Sequence, residues 1–87
     1  MPCPAQVFSN VTQQRFDCLV QEAARAGIVI NGNQGQTVVK HGIVSAQISW
    51  NFDAPSQTLT LQYLNPSFVA SCGTVNEMLH NLVDSCP

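Results

Sequence analysis

Cys72 is the residue whose neighbours best equip it for chemistry. Cys72-Gly73 immediately precedes Thr74-Val75-Asn76-Glu77, a capping box of the S/T-x-x-E form that opens a helix. Unpaired peptide N–H groups and the helix dipole at such a place favour an anion and so favour a thiolate. The chemistry on offer is thiol redox exchange or nucleophilic attack. A base to assist it is harder to find. His80 follows on the same helix, about 9 Å along the axis from the cap at 1.5 Å per residue. His41 belongs to a β-prone run elsewhere, and no acid stands in a pattern that would orient either imidazole. The competing reading of Cys72 is a loop cysteine that fills a gap or enters a disulfide.

The cysteines are Cys3, Cys18, Cys72 and Cys86, and no C-x-x-C occurs. Their scatter, and that of the two histidines, does not converge three or four ligands, so no metal and no cofactor are expected. Four cysteines allow three full pairings. If residues 74–86 form one helix, Cys72 and Cys86 lie roughly 20 Å apart. A disulfide needs Cα atoms within about 7 Å, which excludes Cys72–Cys86 and, in a fully paired set, Cys3–Cys18. The redox state follows the compartment. Met-Pro-Cys-Pro-Ala-Gln has neither a basic nor an apolar signal region. With Met1 as the native start, the expectation is a cytoplasmic protein with thiols, Cys18 and Cys86 acting as small buried hydrophobes. With Met1 added to a mature form, the protein is exported and oxidised.

The carboxylates Asp17, Glu22, Asp53, Glu77 and Asp84 form no pair placed for acid–base work. Asp53 falls in a turn, Glu77 in the capping box, and Asp17 and Glu22 on the outer part of the first helix. Gly32-Asn33-Gln34-Gly35 lacks the Lys-Ser/Thr and the following helix of a phosphate loop.

Composition narrows the partners. The 87 residues carry three basic and five acidic side chains, and only 9% are charged where about 25% is ordinary. Three positive charges cannot build a phosphate-binding surface, so nucleic acid is not expected. No run is long and apolar enough for a membrane span. The missing charge is replaced by Gln, Asn, Ser and Thr.

The elements that must position these residues read as follows. Residues 1–9 are an N-terminal arm with Val7-Phe8 as an anchor, and residues 10–87 are a single domain. A helix over 11–26 starts with Asn10 as cap and Gln13 as its capping-box partner. It carries Phe16, Leu19, Val20, Ala23 and Ala24 on one stripe and ends at Gly27. Ile28-Val29-Ile30 is β-prone and residues 31–35 are a turn. Residues 37–53 are one bent strand or two pieces, with Gly42 as a bulge or bend. Residues 44–52 and 58–64 alternate cleanly and join through Asp53-Ala54-Pro55-Ser56 as an antiparallel hairpin. Phe68 and Val69 tuck under the connector that follows. Val75, Met78, Leu79, Leu82, Val83 and Cys86 recur at helical spacing over 74–86.

The fold class expected is α+β in two layers: an α-β-β-β-α order with an antiparallel three-stranded meander and both helices packed on one face. The core takes Phe16, Leu19, Val20, Val44, Ile48, Trp50, Phe52, Leu59, Leu61, Tyr63, Leu79, Leu82 and Val83. The other sheet face then carries Ser45, Gln47, Ser49, Asn51, Thr58, Thr60 and Gln62, none of them charged. Such a face is either simply wetted or a contact surface, because amides and hydroxyls offer hydrogen bonds without the desolvation cost of charge. The functional expectation is a small non-enzymatic module acting through protein contacts, with a protein partner or a homo-oligomer. The alternative is a thiol-dependent redox protein or enzyme using Cys72.

Residues 48–83 contain Ile-Ser-Trp-Asn-Phe-Asp, Gln-Thr-Leu-Thr-Leu and Asn-Pro-Ser-Phe-Val-Ala-Ser-Cys-Gly-Thr-Val-Asn, then Leu-Val. This pattern resembles that of small uncharacterised bacterial proteins with an α-β-β-β-α layout. The resemblance covers under half of the chain. It implies a compact bacterial domain and transfers no activity and no site residue.

Overall fold

A computed structural model describes residues 2–41, 43–67 and 69–86, and at His41 and Val44 the backbone only. Its elements in chain order are β1 (Gln6–Phe8), α1 (Gln13–Arg25), β2 (Gln34–His41), β3 (Val44–Asp53), β4 (Thr58–Tyr63) and α2 (Cys72–Asp84). The chain is a small α+β domain. Its sheet is antiparallel throughout and has four strands in the order β1-β4-β3-β2.

The three-stranded meander is present as β2-β3-β4, but the sheet does not stop there. Residues read as an arm supply β1, with Gln6 opposite Leu61, Val7 opposite Thr60 and Phe8 opposite Leu59. Three residues are too few for alternation to declare a strand. What seats them lies far away in the sequence: the free edge of β4, the Cys3 N–H donating to the Tyr63 carbonyl, and a disulfide at Cys3.

Residues 37–53 resolve into two strands. Ladder pairs run without interruption from Gln34 opposite Asn51 to His41 opposite Val44. The expected bulge or bend at Gly42 and the expected burial of Phe68 lie outside the described residues. The expected Ile28–Ile30 strand does not form, because α1 ends at Arg25 and the Ile28 N–H still reaches back to the Ala23 carbonyl. β2 starts at Gln34 instead, inside the expected turn. The turn residues that remain include Gly32, which adopts φ +78°.

Both helix starts shift. α1 is capped by Thr12, whose hydroxyl accepts the Arg15 N–H at 3.1 Å, and not by Asn10, which sits at φ 60° outside the helix. Gln13 is thereby the first helical residue and donates to Asp17. α2 is capped by Ser71, which accepts the Thr74 N–H at 3.3 Å. Two hydroxyl residues three apart both suit a cap, and the earlier one takes it. Cys72 is therefore inside the first turn, and Glu77 lies a turn too far along to close a capping box.

The alternation in β3 and β4 is realised in the burial. Ile48 faces Tyr63, Trp50 faces Leu61 and Phe52 faces Leu59 across the ladder, and all six are buried. They join one core cluster with Phe16 and Leu19 of α1 and Val75, Leu79 and Val83 of α2. Phe16 stacks on Phe52 with ring centroids 4.3 Å apart. Of the other expected core residues, Val20 and Leu82 are only partly buried, and the Val44 side chain is outside the description. Cys3, Val11 and Ala70 join the core as well.

Candidate interaction surface

All four cysteines are paired. Cys3 bonds to Cys72 and Cys18 bonds to Cys86, with Cα separations of 5.6 and 6.1 Å. The helical spacing that forbids Cys72–Cys86 holds, since α2 covers nearly the whole interval. The expectation of thiols, with Cys18 and Cys86 as plain buried hydrophobes, is corrected. α1 and α2 lie side by side, so a cysteine in α1 meets one just past the end of α2. Arg15 of α1 strengthens that junction by donating to the Val83 and Cys86 carbonyls at 3.2 and 3.1 Å. The Val83 carbonyl is in the last turn of α2 and the Cys86 carbonyl lies just beyond it, where a cation complements the helix dipole.

Cys72 therefore presents a disulfide sulfur in place of a thiolate, and a nucleophilic role would first require its reduction by a dithiol. His80 lies elsewhere and is engaged with β1. Its Nε2 is 3.0 Å from the Gln6 Oε1, and its ring centroid is 4.8 Å from that of Phe8. No group of three metal-ligating side chains forms among the described residues. The carboxylates do structural work: Asp53 accepts from the Ser56 hydroxyl in the hairpin turn, and Glu22 pairs with Arg25 at 3.1 Å.

The polar face of the sheet is the larger feature. Ser45, Gln47, Ser49 and Asn51 on β3 and Thr58, Thr60 and Gln62 on β4 alternate with the buried residues, and each is half-buried or exposed. An open depression of about 570 Å³ brings together Ser49, Asn51, Thr60 and Gln62. The other three stand apart from it. Thr58 is tied into the turn by Ser56, while Ser45 and Gln47 engage Asn65 through their backbones. Gln62 reaches across to donate to the Cys3 carbonyl at 2.8 Å.

The sequence reading of this face omitted β2. Gln34 and Gly35 also line the depression, and Gln36 accepts from the Gln47 amide at 3.2 Å. By register Gln34, Gln36, Val38 and Lys40 share the face with Asn51, Ser49, Gln47 and Ser45. The β-prone run 37–41 was the available signal, but Val38-Val39 breaks the polar–apolar alternation and the glycines at 32 and 35 read as a turn. Among the described residues of β2, β3 and β4, this face carries two charged side chains, Lys40 on β2 and Asp53 at the end of β3, where it pairs with Thr58.

β2 also ends the sheet, and its free side can be read from the ladder. The Gln47 N–H donates to Asn65 Oδ1 at 2.7 Å, and the Gln47 carbonyl accepts the Leu64 N–H at 2.8 Å, so both groups face β4. The sides alternate along a strand, and the Phe52 N–H donates the other way, to the Asn33 carbonyl. Val38 opposite Gln47 is thus a non-hydrogen-bonded pair. The N–H and C=O of Val38, and by the same alternation those of Gln34, Gln36 and Lys40, point away from β3.

On the apolar side, two adjoining hollows of about 190 and 150 Å³ run between α2 and the sheet. They share Val39, Ala46, Val75 and Met78, and Met78 is 51% exposed. No helix among the described residues is long and apolar enough to cross a membrane. Set against family models, curated proteins and solved structures, the chain matches none.

Proposed function

We propose that this chain is a non-enzymatic interaction module of an oxidising compartment, associating with protein, copies of itself included, through its sheet. The observation that supports the reading most is the polar face of β2, β3 and β4, where amides, hydroxyls and Val38 predominate and the two charges stand at its margins, Lys40 near the end of β2 and Asp53 tied to Ser56 at the hairpin turn. Sheet surfaces kept free in water usually carry interspersed charge of both signs, which opposes association. A face of neutral hydrogen-bonding groups loses little on desolvation. The reading takes both helices to cover the opposite face, as the stacking of Phe16 on Phe52 and the burial of Leu79 and Val83 suggest. Two disulfides support an oxidising, exported setting. A bacterial source, implied by the resemblance of residues 48–83, belongs to the same proposal.

Amide chemical shifts followed on dilution from high to low micromolar concentration test the reading. Concentration-dependent shifts should gather on residues 34–41, 44–53 and 58–63. Shifts that do not move with concentration, or that gather on the helices, would refute it.

A further inference from the structure

The sheet association proposed above has one site whose geometry specifies its occupant, and we infer that a second copy of this chain pairs with the open side of β2, antiparallel and two-fold, with Thr37 at the axis. This rests on the reading of the chain as a sheet-associating module.

Three observations carry it. First, the two ends of the sheet differ. β1 is three residues long and latched by the Cys3–Cys72 disulfide, whereas β2 offers eight residues without proline or interruption in its ladder. An edge of that length is normally blunted by charge, a bulge or a covering segment. Second, the backbone groups on offer are self-complementary. With Thr37 at the axis, Gln34 falls opposite the second copy's Lys40 and Gln36 opposite the second copy's Val38. Those are the four β2 residues whose N–H and C=O face outward, so every one gains a hydrogen-bonded partner. A shift by one residue would set polar-face positions against core-face positions and is excluded by the pleat.

Third, the side chains allow it. Lys40, the one charge on β2, meets a neutral glutamine and not its own copy. Val38, 49% exposed, is covered by the second copy's Gln36. On the other face Val39 falls beside the second copy's Gly35, where it meets the Trp50 indole that lies over that glycine. The pairing makes one continuous sheet of two copies and doubles the sparsely charged polar face. An edge contact buries less than the roughly 800 Å² per partner of a standard interface, so the test extends to high concentration.

The Val38 N–H points away from β3, so Val38→Pro removes an edge donor and leaves the internal ladder intact. Sedimentation equilibrium to about 1 mM, on the oxidised wild type, Val38→Pro and the face variant Ser49→Lys/Thr60→Lys, decides the matter. Circular dichroism and a zero free-thiol count establish that each variant is folded, and Gln36→Pro replaces Val38→Pro if the latter is not. The expected result is a wild-type dimer whose dissociation constant rises about tenfold or more with the edge proline, as loss of one or two hydrogen bonds implies. The face variant should keep the wild-type constant. Dimerisation lost with the face lysines but unchanged by either edge proline would overturn this inference and leave the module reading standing. A monomer throughout would overturn this inference and the self-association part of the module reading.

Discussion

Gly35 stands directly across the β2–β3 ladder from Trp50, and the indole lies over the place where a side chain would be. A Cβ at Gly35 would come within 2.9 Å of the far ring carbon of Trp50. The indole N–H in turn donates to the Gly32 carbonyl at 3.2 Å, so the ring is held at both ends. An aromatic covering a glycine on a neighbouring strand is one way to pin the register of an edge.

Substitution of that glycine is therefore costly out of proportion to its exposure. Gly35→Val should destabilise the fold by about 1–3 kcal/mol, the usual range for forcing atoms into a packed site. Urea unfolding measures it, and Trp50 emission should shift toward that of a wetted indole. An unchanged midpoint and emission would show that the ring does not rest there.

The two disulfides close nearly equal spans, with sequence separations of 69 and 68. Replacing either pair with alanine should cost a similar amount, on the order of 2–5 kcal/mol. The pairs should differ in what loosens. Loss of Cys3–Cys72 should speed amide exchange in Gln6–Phe8 and along β4, whereas loss of Cys18–Cys86 should loosen the junction of α1 with the end of α2. Exchange mapped by mass spectrometry distinguishes these patterns.

Tyr63 is fully buried, and its hydroxyl donates to the Ala70 carbonyl at 2.9 Å. Tyr63→Phe leaves that carbonyl without its donor and should lower stability by about 1–2 kcal/mol. The effect should appear in thermal unfolding, with faster exchange in the connector before α2.

Arg15 holds the last turn of α2 from a neighbouring helix. Arg15→Met keeps an apolar stem but removes both donors, and it should cost about 1–2 kcal/mol, given the partial exposure of the site. A loss of that size in chemical unfolding, with both disulfides intact, would place the contribution in the hydrogen bonds.

Much of this architecture could be read from local pattern. Alternation over 44–52 and 58–64 places Ile48, Trp50, Phe52, Leu59, Leu61 and Tyr63 correctly, because burial on one face of a strand imposes period two. The stripe from Val75 to Val83 marks α2 for the corresponding reason. What escaped were features fixed by partners distant in sequence. β1 is a strand only because β4 has an edge and Cys72 has a sulfur to offer. Thr12 and Ser71 win their caps by small differences that adjacent hydroxyl and amide residues conceal. The polar face was legible on β3 and β4, but its β2 portion was masked by the lack of alternation at Val38-Val39 and by Gly32 and Gly35. The second of these glycines belongs to the strand because a tryptophan covers it.

Association through the sheet is tested most directly by hydrogen exchange at single amides of β2, measured in the oxidised protein at low and high concentration. The amides of Gly35, Thr37 and Val39 face β3 and should be protected at every concentration. Those of Gln34, Gln36, Val38 and Lys40 face outward and should exchange freely when dilute and slow together as concentration rises. Outward amides that exchange equally fast at both concentrations would contradict the account.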